Sequence, residues 1–163
     1  MDAHLTFEPH IKQLCKNSFH HLRTIAKLRP TLTLSDAEKL VHAFVSSRLD
    51  DCNALLIGIA NRSIQKLQYI QNSAARILMR VRKYDPITRI LKALHRLPVE
   101  LRIELKASVL THQRVHGTAP PYLKELLTPH TSLRTTRSSN LLKPPRTKLR
   151  ALGDRAFTRH HRP

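Results

Sequence analysis

Residues 35–56 read S-D-A-E-K-L-V-H-A-F-V-S-S-R-L-D-D-C-N-A-L-L, and the spacing of their apolar positions decides the class of fold. Ala37, Leu40, Val41, Phe44, Val45, Leu49, Cys52, Leu55 and Leu56, with Arg48 in the same row, step by three and four, as one face of a helix does. Ser35 and Glu38 make the S-x-x-E of a capping box, in which the hydroxyl accepts from the Glu38 amide while the carboxylate reaches back. The helix is therefore expected to open at Ser35 and to stop at Gly58.

The same period extends in both directions. Upstream, Ile11, Leu14, Cys15, Ser18, Leu22, Ile25 and Ala26 give a first helix over residues 11–28, ended by Pro30. Downstream, residues 61–84 place Ile64, Leu67, Ile70, Ala74, Ala75, Leu78 and Val81 on one face of a third helix. Its other face carries Arg62, Lys66, Arg76, Arg80, Arg82 and Lys83, and no acid interrupts the segment. Asp85 followed by Pro86 reads as an N-cap opening a short fourth helix, I-T-R-I-L-K-A-L-H. Pro98 restarts the chain into a fifth, closed by Gly117, with a further turn over residues 122–127. Leu, Ile, Val and Ala supply the apolar fraction, aromatics make only 4% and Trp is absent, a balance that favours helices over strands. The expected fold class is thus all-α: a bundle of about five helices within residues 1–127.

Beyond residue 127 no apolar period survives. The last 36 residues hold nine basic side chains, among them Arg134, Arg137, Arg146, Lys148 and Arg150, against the single acid Asp154, and Ser, Thr and Pro separate them. Residues 128–163 are expected to form a basic, poorly ordered tail.

The 163-residue chain carries 29 Lys and Arg against 11 acids, a net charge of +18, which attracts polyanions. Nucleic acid is the expected partner by the electrostatic footprint criterion. The competing explanation, a merely solvated charged face, is weakened by the acid-free third segment and the tail acting together. A membrane is not expected, since no apolar run approaches the roughly 20 residues that span a bilayer. The opening M-D-A-H-L-T-F-E-P has no signal-peptide pattern, so an intracellular location, nucleus or cytoplasm, is expected. Cys15 and Cys52 both fall on apolar stripes and read as small core residues rather than a disulfide or a metal pair.

Asp50 and Asp51 resemble a metal-holding pair, but neighbours on a helix point about 100° apart, and no third carboxylate accompanies them. His112 and His116 share a helix face at a spacing of four, without the Glu of an H-E-x-x-H motif. Isolated glycines make no phosphate-cradling loop, and there is no G-x-S-x-G elbow. No catalysis, no cofactor and no small-molecule substrate are expected. The phosphate contacts would come from Arg62, Lys66, Arg76, Arg80, Arg82 and Lys83, with Arg134, Arg137, Arg146, Lys148 and Arg150 from the tail. With Tyr69 and Tyr84 the only tyrosines near the third helix, stacking should add little and sequence preference should be low.

Six blocks, in order, carry a resemblance: H-A-F-V-S-S-R-L-D-D-C-N-A-L-L (42–56), L-Q-Y-I-Q-N-S-A-A-R-I-L (67–78), L-H-R-L-P-V-E-L-R-I (94–103), H-G-T-A-P-P-Y-L (116–123), L-R-T-T-R-S-S (133–139) and G-D-R-A-F (153–157). Together they resemble the region that follows the reverse-transcriptase core in open reading frames of non-LTR (LINE-type) retrotransposons, over about residues 7–157. The resemblance implies a thumb-side, C-terminal portion of such a polyprotein that holds RNA or an RNA–DNA hybrid, with the polymerase palm and the endonuclease expected upstream of this chain. Asp51 stands where the family usually has an aromatic residue, which makes the aspartate pair a local substitution. Arg96 stands where it has a tryptophan, and T-R-H-H-R-P replaces its usual ending. The alternative expectation is a structural or protein-interaction helical module, or a decayed element copy with no role of its own.

Overall fold

The computed structural model describes residues 7–122 except Cys52. The expected boundary after residue 127, most of the 122–127 turn and the basic tail lie outside the described residues. Within them the regular structure is helical throughout: α1 (Glu8–Leu28), α2 (Leu34–Val41), a π-helical turn (His42–Ser46), α3 (Ser47–Asp50), a 3₁₀ turn (Asn53–Leu56), α4 (Asn61–Met79), α5 (Ile87–Ala93) and α6 (Val99–Val115). α2, the π turn and α3 run on as one helical rod, so the described residues form the five main helices expected. Two compact units divide it, one ending at Arg102 and one beginning at Ile103.

In the first unit, Ile11, Leu14, Leu22 and Ile25 of α1 are buried, as are Ala37, Val41, Val45 and Leu49 of the rod and Leu67, Ile70, Ala74 and Leu78 of α4. α5 lies on α4, with Ile90 and Leu91 buried with Ala75 and with Val81, Ile87 and Leu94 packed around them. Glu8 meets Arg62, Phe19 meets Tyr69 and Arg29 meets Leu78, so contacts advance along both helices together and α1 runs parallel to α4.

The rod departs from the expected helix in three places. Its N-cap is Thr33, not Ser35: the Thr33 hydroxyl accepts from the Asp36 amide at 3.2 Å and donates to the Asp36 carboxylate at 2.7 Å, a side-chain cap set two residues earlier. The π turn follows from the core pattern. Ala37, Val41, Val45 and Leu49 recur strictly every four residues, and on a regular α-helix each such step drifts by about 40°. Five wider, i to i+5 residues absorb that drift and keep Leu49 inward, while Phe44 and Leu55, expected on the buried face, are exposed. The rod also ends early, at Asp50, where Asp51 turns extended and a separate 3₁₀ turn leads to Gly58 at φ 69°.

α4 likewise stops at Met79 rather than at residue 84, because Arg80 adopts the left-handed conformation (φ 52°, ψ 37°) and the Val81 amide returns to the Arg76 carbonyl. The expected Asp85 cap is a turn instead: its carboxylate accepts from the Arg82 amide at 2.6 Å, and Pro86 precedes α5. His95, again left-handed at φ 50°, ends α5.

The second unit contains the remainder of α6. Gly117 (φ 74°) lets the amides of Thr118 and Ala119 return to the Gln113 carbonyl, the expected stop. Ile103, Ala107 and Ala119 are buried, whereas Leu105 and Val109 are exposed.

Candidate nucleic-acid interface

α4 contains no acid, and Arg62, Lys66, Tyr69, Ser73 and Arg76 fall within about 40° of one line along its axis, away from the buried row centred on Leu67 and Ala74. This row is also the edge at which α4 meets α1. Glu8 pairs with Arg62, Lys66 stands beside Cys15, and the Phe19 and Tyr69 rings lie 5.7 Å apart at 49°. Burial pushes the Cys15 thiol up, the nearby Lys66 charge opposing it, so the side chain is a half-buried seam residue rather than a reactive one.

On the outer side of the seam α1 adds a second row. Lys12, Lys16, Arg23 and Lys27 are all exposed, and none of them makes an ion pair among the described residues. The sequence reading missed this row. Its signal was present in the spacings of four, seven and four, which hold one helix face beside the apolar stripe. From Glu8 to Arg29 and from Asn61 to Arg80 the two strands of the seam hold nine Lys and Arg against Glu8 alone. The first unit's other described carboxylates lie elsewhere: Asp36, Glu38, Asp50 and Asp51 on or after the rod, Asp85 ahead of α5, Glu100 in the first turn of α6.

The six expected helix contacts do not form a single cluster. Arg62 and Lys66 occupy the N-terminal end of α4, and Arg76 lies about 21 Å along the axis from Arg62. Arg62 is half-neutralised by Glu8, and Arg80 spends one donor on the Arg29 carbonyl at 2.6 Å. Arg82 and Lys83, expected on the helix face, are exposed in the turn beyond it. Arg134, Arg137, Arg146, Lys148 and Arg150 lie outside the described residues.

Three arginines converge where α1 and α4 end. Arg29, buried, donates from Nε and Nη2 to the Leu78 carbonyl (3.1 and 2.7 Å) and from Nη1 to the Leu32 carbonyl (2.9 Å). Arg76 and Arg80 join it in the wall of an open concavity of about 390 Å³, completed by Ala26, Pro30, Ile77 and Val81.

The remaining candidates have other surroundings. Asp50 is ion-paired with Arg102, and Asp51 diverges from it with extended backbone. Arg96 donates to the Ser46 hydroxyl at 2.6 Å beside that pair; burial lowers its pKa, as does Arg102, while Glu38 and Asp50 oppose the shift. The position where the resemblance implies a tryptophan thus holds a half-buried guanidinium with carboxylates nearby. His112 and His116 lie with ring centroids 4.1 Å apart, and no group of three metal-ligating side chains occurs among the described residues. No helix among them is long and apolar enough to cross a membrane.

Set against known protein families, curated proteins and solved structures, the chain matches none.

Proposed function

We propose that the α1–α4 seam binds nucleic acid without reading its sequence, RNA or an RNA–DNA hybrid, and that the chain does so as a non-catalytic relative of the post-polymerase region of a LINE-type retrotransposon. The observation that carries the reading is the segregation of charge: nine basic side chains with one carboxylate line the seam, while the other acids of that unit lie on other segments. Lys and Arg placed along two parallel helices meet successive phosphates, which positions a strand without specifying its bases. Tyr69, 57% exposed in the α4 row, supplies a ring on which an unpaired base of an RNA can stack, a contact added to the phosphate contacts that RNA and hybrid share.

Electrophoretic retardation of a labelled RNA across a salt series tests the reading. Binding is expected to weaken steeply as salt rises, with a log–log slope set by the number of phosphates contacted. A second reading, a protein-interaction module, is favoured by Leu105 and Val109, exposed apolar residues four apart on α6. RNA binding that is absent at low salt leaves that reading alone.

A further inference from the structure

We propose that the concavity walled by Arg29, Arg76 and Arg80 is a seat for one phosphate monoester dianion, the kind carried by the end of a phosphorylated strand or by free inorganic phosphate. Only the strand-end source rests on the nucleic-acid reading above.

Three guanidinium groups share the wall with the apolar Ala26, Pro30, Ile77 and Val81, and no carboxylate lines it. Arg76 in the last turn of α4 and Arg80 just beyond its end bring two like charges to one wall. Two helix C-termini, each equivalent to about half a negative charge, partly answer them through the Leu78 and Arg29 carbonyls. About two positive charges are left over, which suits a dianion better than the single charge of a backbone diester. Donors are also left over. The Arg76 guanidinium has no acceptor among the described residues; its Nε is buried out of reach, so its terminal nitrogens are the donors it offers. Arg80 commits one donor to the Arg29 carbonyl, so most of its fork is uncommitted. Arg29, locked by its three carbonyl contacts, contributes a fixed charge at the back. A planar fork is the side chain best matched to phosphate oxygens, and two can grip one group from different sides.

The test uses the full chain in two arms. In the first, thermal unfolding is followed in about 10 mM inorganic phosphate and in chloride at equal ionic strength, for the parent and for Arg76→Gln. The general stabilisation by phosphate salts at higher concentration acts on both proteins alike. The parent is expected to gain about 5 °C in phosphate and the variant none. In the second arm, a 5′-phosphorylated oligonucleotide is compared with its 5′-hydroxyl twin. The parent should bind the phosphorylated strand about tenfold tighter than its twin, and Arg76→Gln should bind the two strands equally. A phosphate gain with no oligonucleotide binding supports the seat and overturns the nucleic-acid reading. Equal melting in phosphate and chloride, with no preference between the two strands, overturns the seat even where both strands bind.

Discussion

Arg29 and Arg80 cap one another's helices: the Arg29 guanidinium donates to the Leu78 carbonyl at the end of α4, and the Arg80 guanidinium donates to the Arg29 carbonyl at the end of α1. Each positive charge therefore sits at the negative end of the helix it did not come from. Arg29→Met strands two carbonyls and is expected to cost about 2 kcal/mol, measured by urea unfolding. Arg80→Gly loses one bond but removes a left-handed non-glycine residue, and the two effects of about 1 kcal/mol each should nearly cancel. A loss as large for Arg80→Gly as for Arg29→Met would contradict this division of roles.

His95 is exposed and left-handed at the end of α5. His95→Gly should raise stability by about 0.5–1 kcal/mol, since glycine accepts that backbone conformation without strain. The readout is the urea midpoint at constant slope, and an unchanged or lower midpoint would show that the imidazole makes a compensating contribution.

His21 stacks on Phe44, with ring centroids 5.1 Å apart, and its pKa is lowered by burial, then by Arg48 and His20. A histidine that takes up its proton less readily when folded contributes stability above its unfolded pKa of about 6.5, and loses it as pH falls through that value. The parent should therefore lose more stability between pH 7.5 and pH 5.5 than His21→Gln does. Parallel pH profiles would remove His21 from the account.

The α1 row gives the sharpest test of the seam. Lys16→Glu with Arg23→Glu is expected to flatten the salt dependence of RNA binding by about two phosphate contacts, with folding unchanged. Tyr69→Ala should weaken single-stranded RNA more than duplex, by about 1–3 kcal/mol if a base stacks there. Glu100→Gln, in the first turn of α6, serves as the control off the seam and should leave the RNA affinity of the parent within twofold.

The helices were legible because their apolar periods are long and clean, and their ends were not. Glycine announces a helix stop, as at Gly117, but α4 and α5 stop at Arg80 and His95, residues that carry no such message. Val81 misled in addition. It continues the apolar period of α4 by one step, yet it is partly buried beyond the helix end, against Ala75, Ile90 and Leu91. The basic face of α4 was readable, whereas its partner row on α1 becomes part of a surface only once the two helices lie side by side. Arg29 looked like an ordinary residue before Pro30. Its carbonyl acceptor lies 49 positions away, a relationship that no local pattern encodes.

The widened turn at His42–Ser46 holds one residue more than regular winding would over the same turn. One residue deleted there would restore regular winding and leave the helix beyond it close to its present phase, with Leu49 still inward and Asp50 still beside Arg102. The same deletion elsewhere in the rod would swing everything after it by about 100° and carry both residues out of place. A lost letter is thus absorbed in this segment and not in its neighbours.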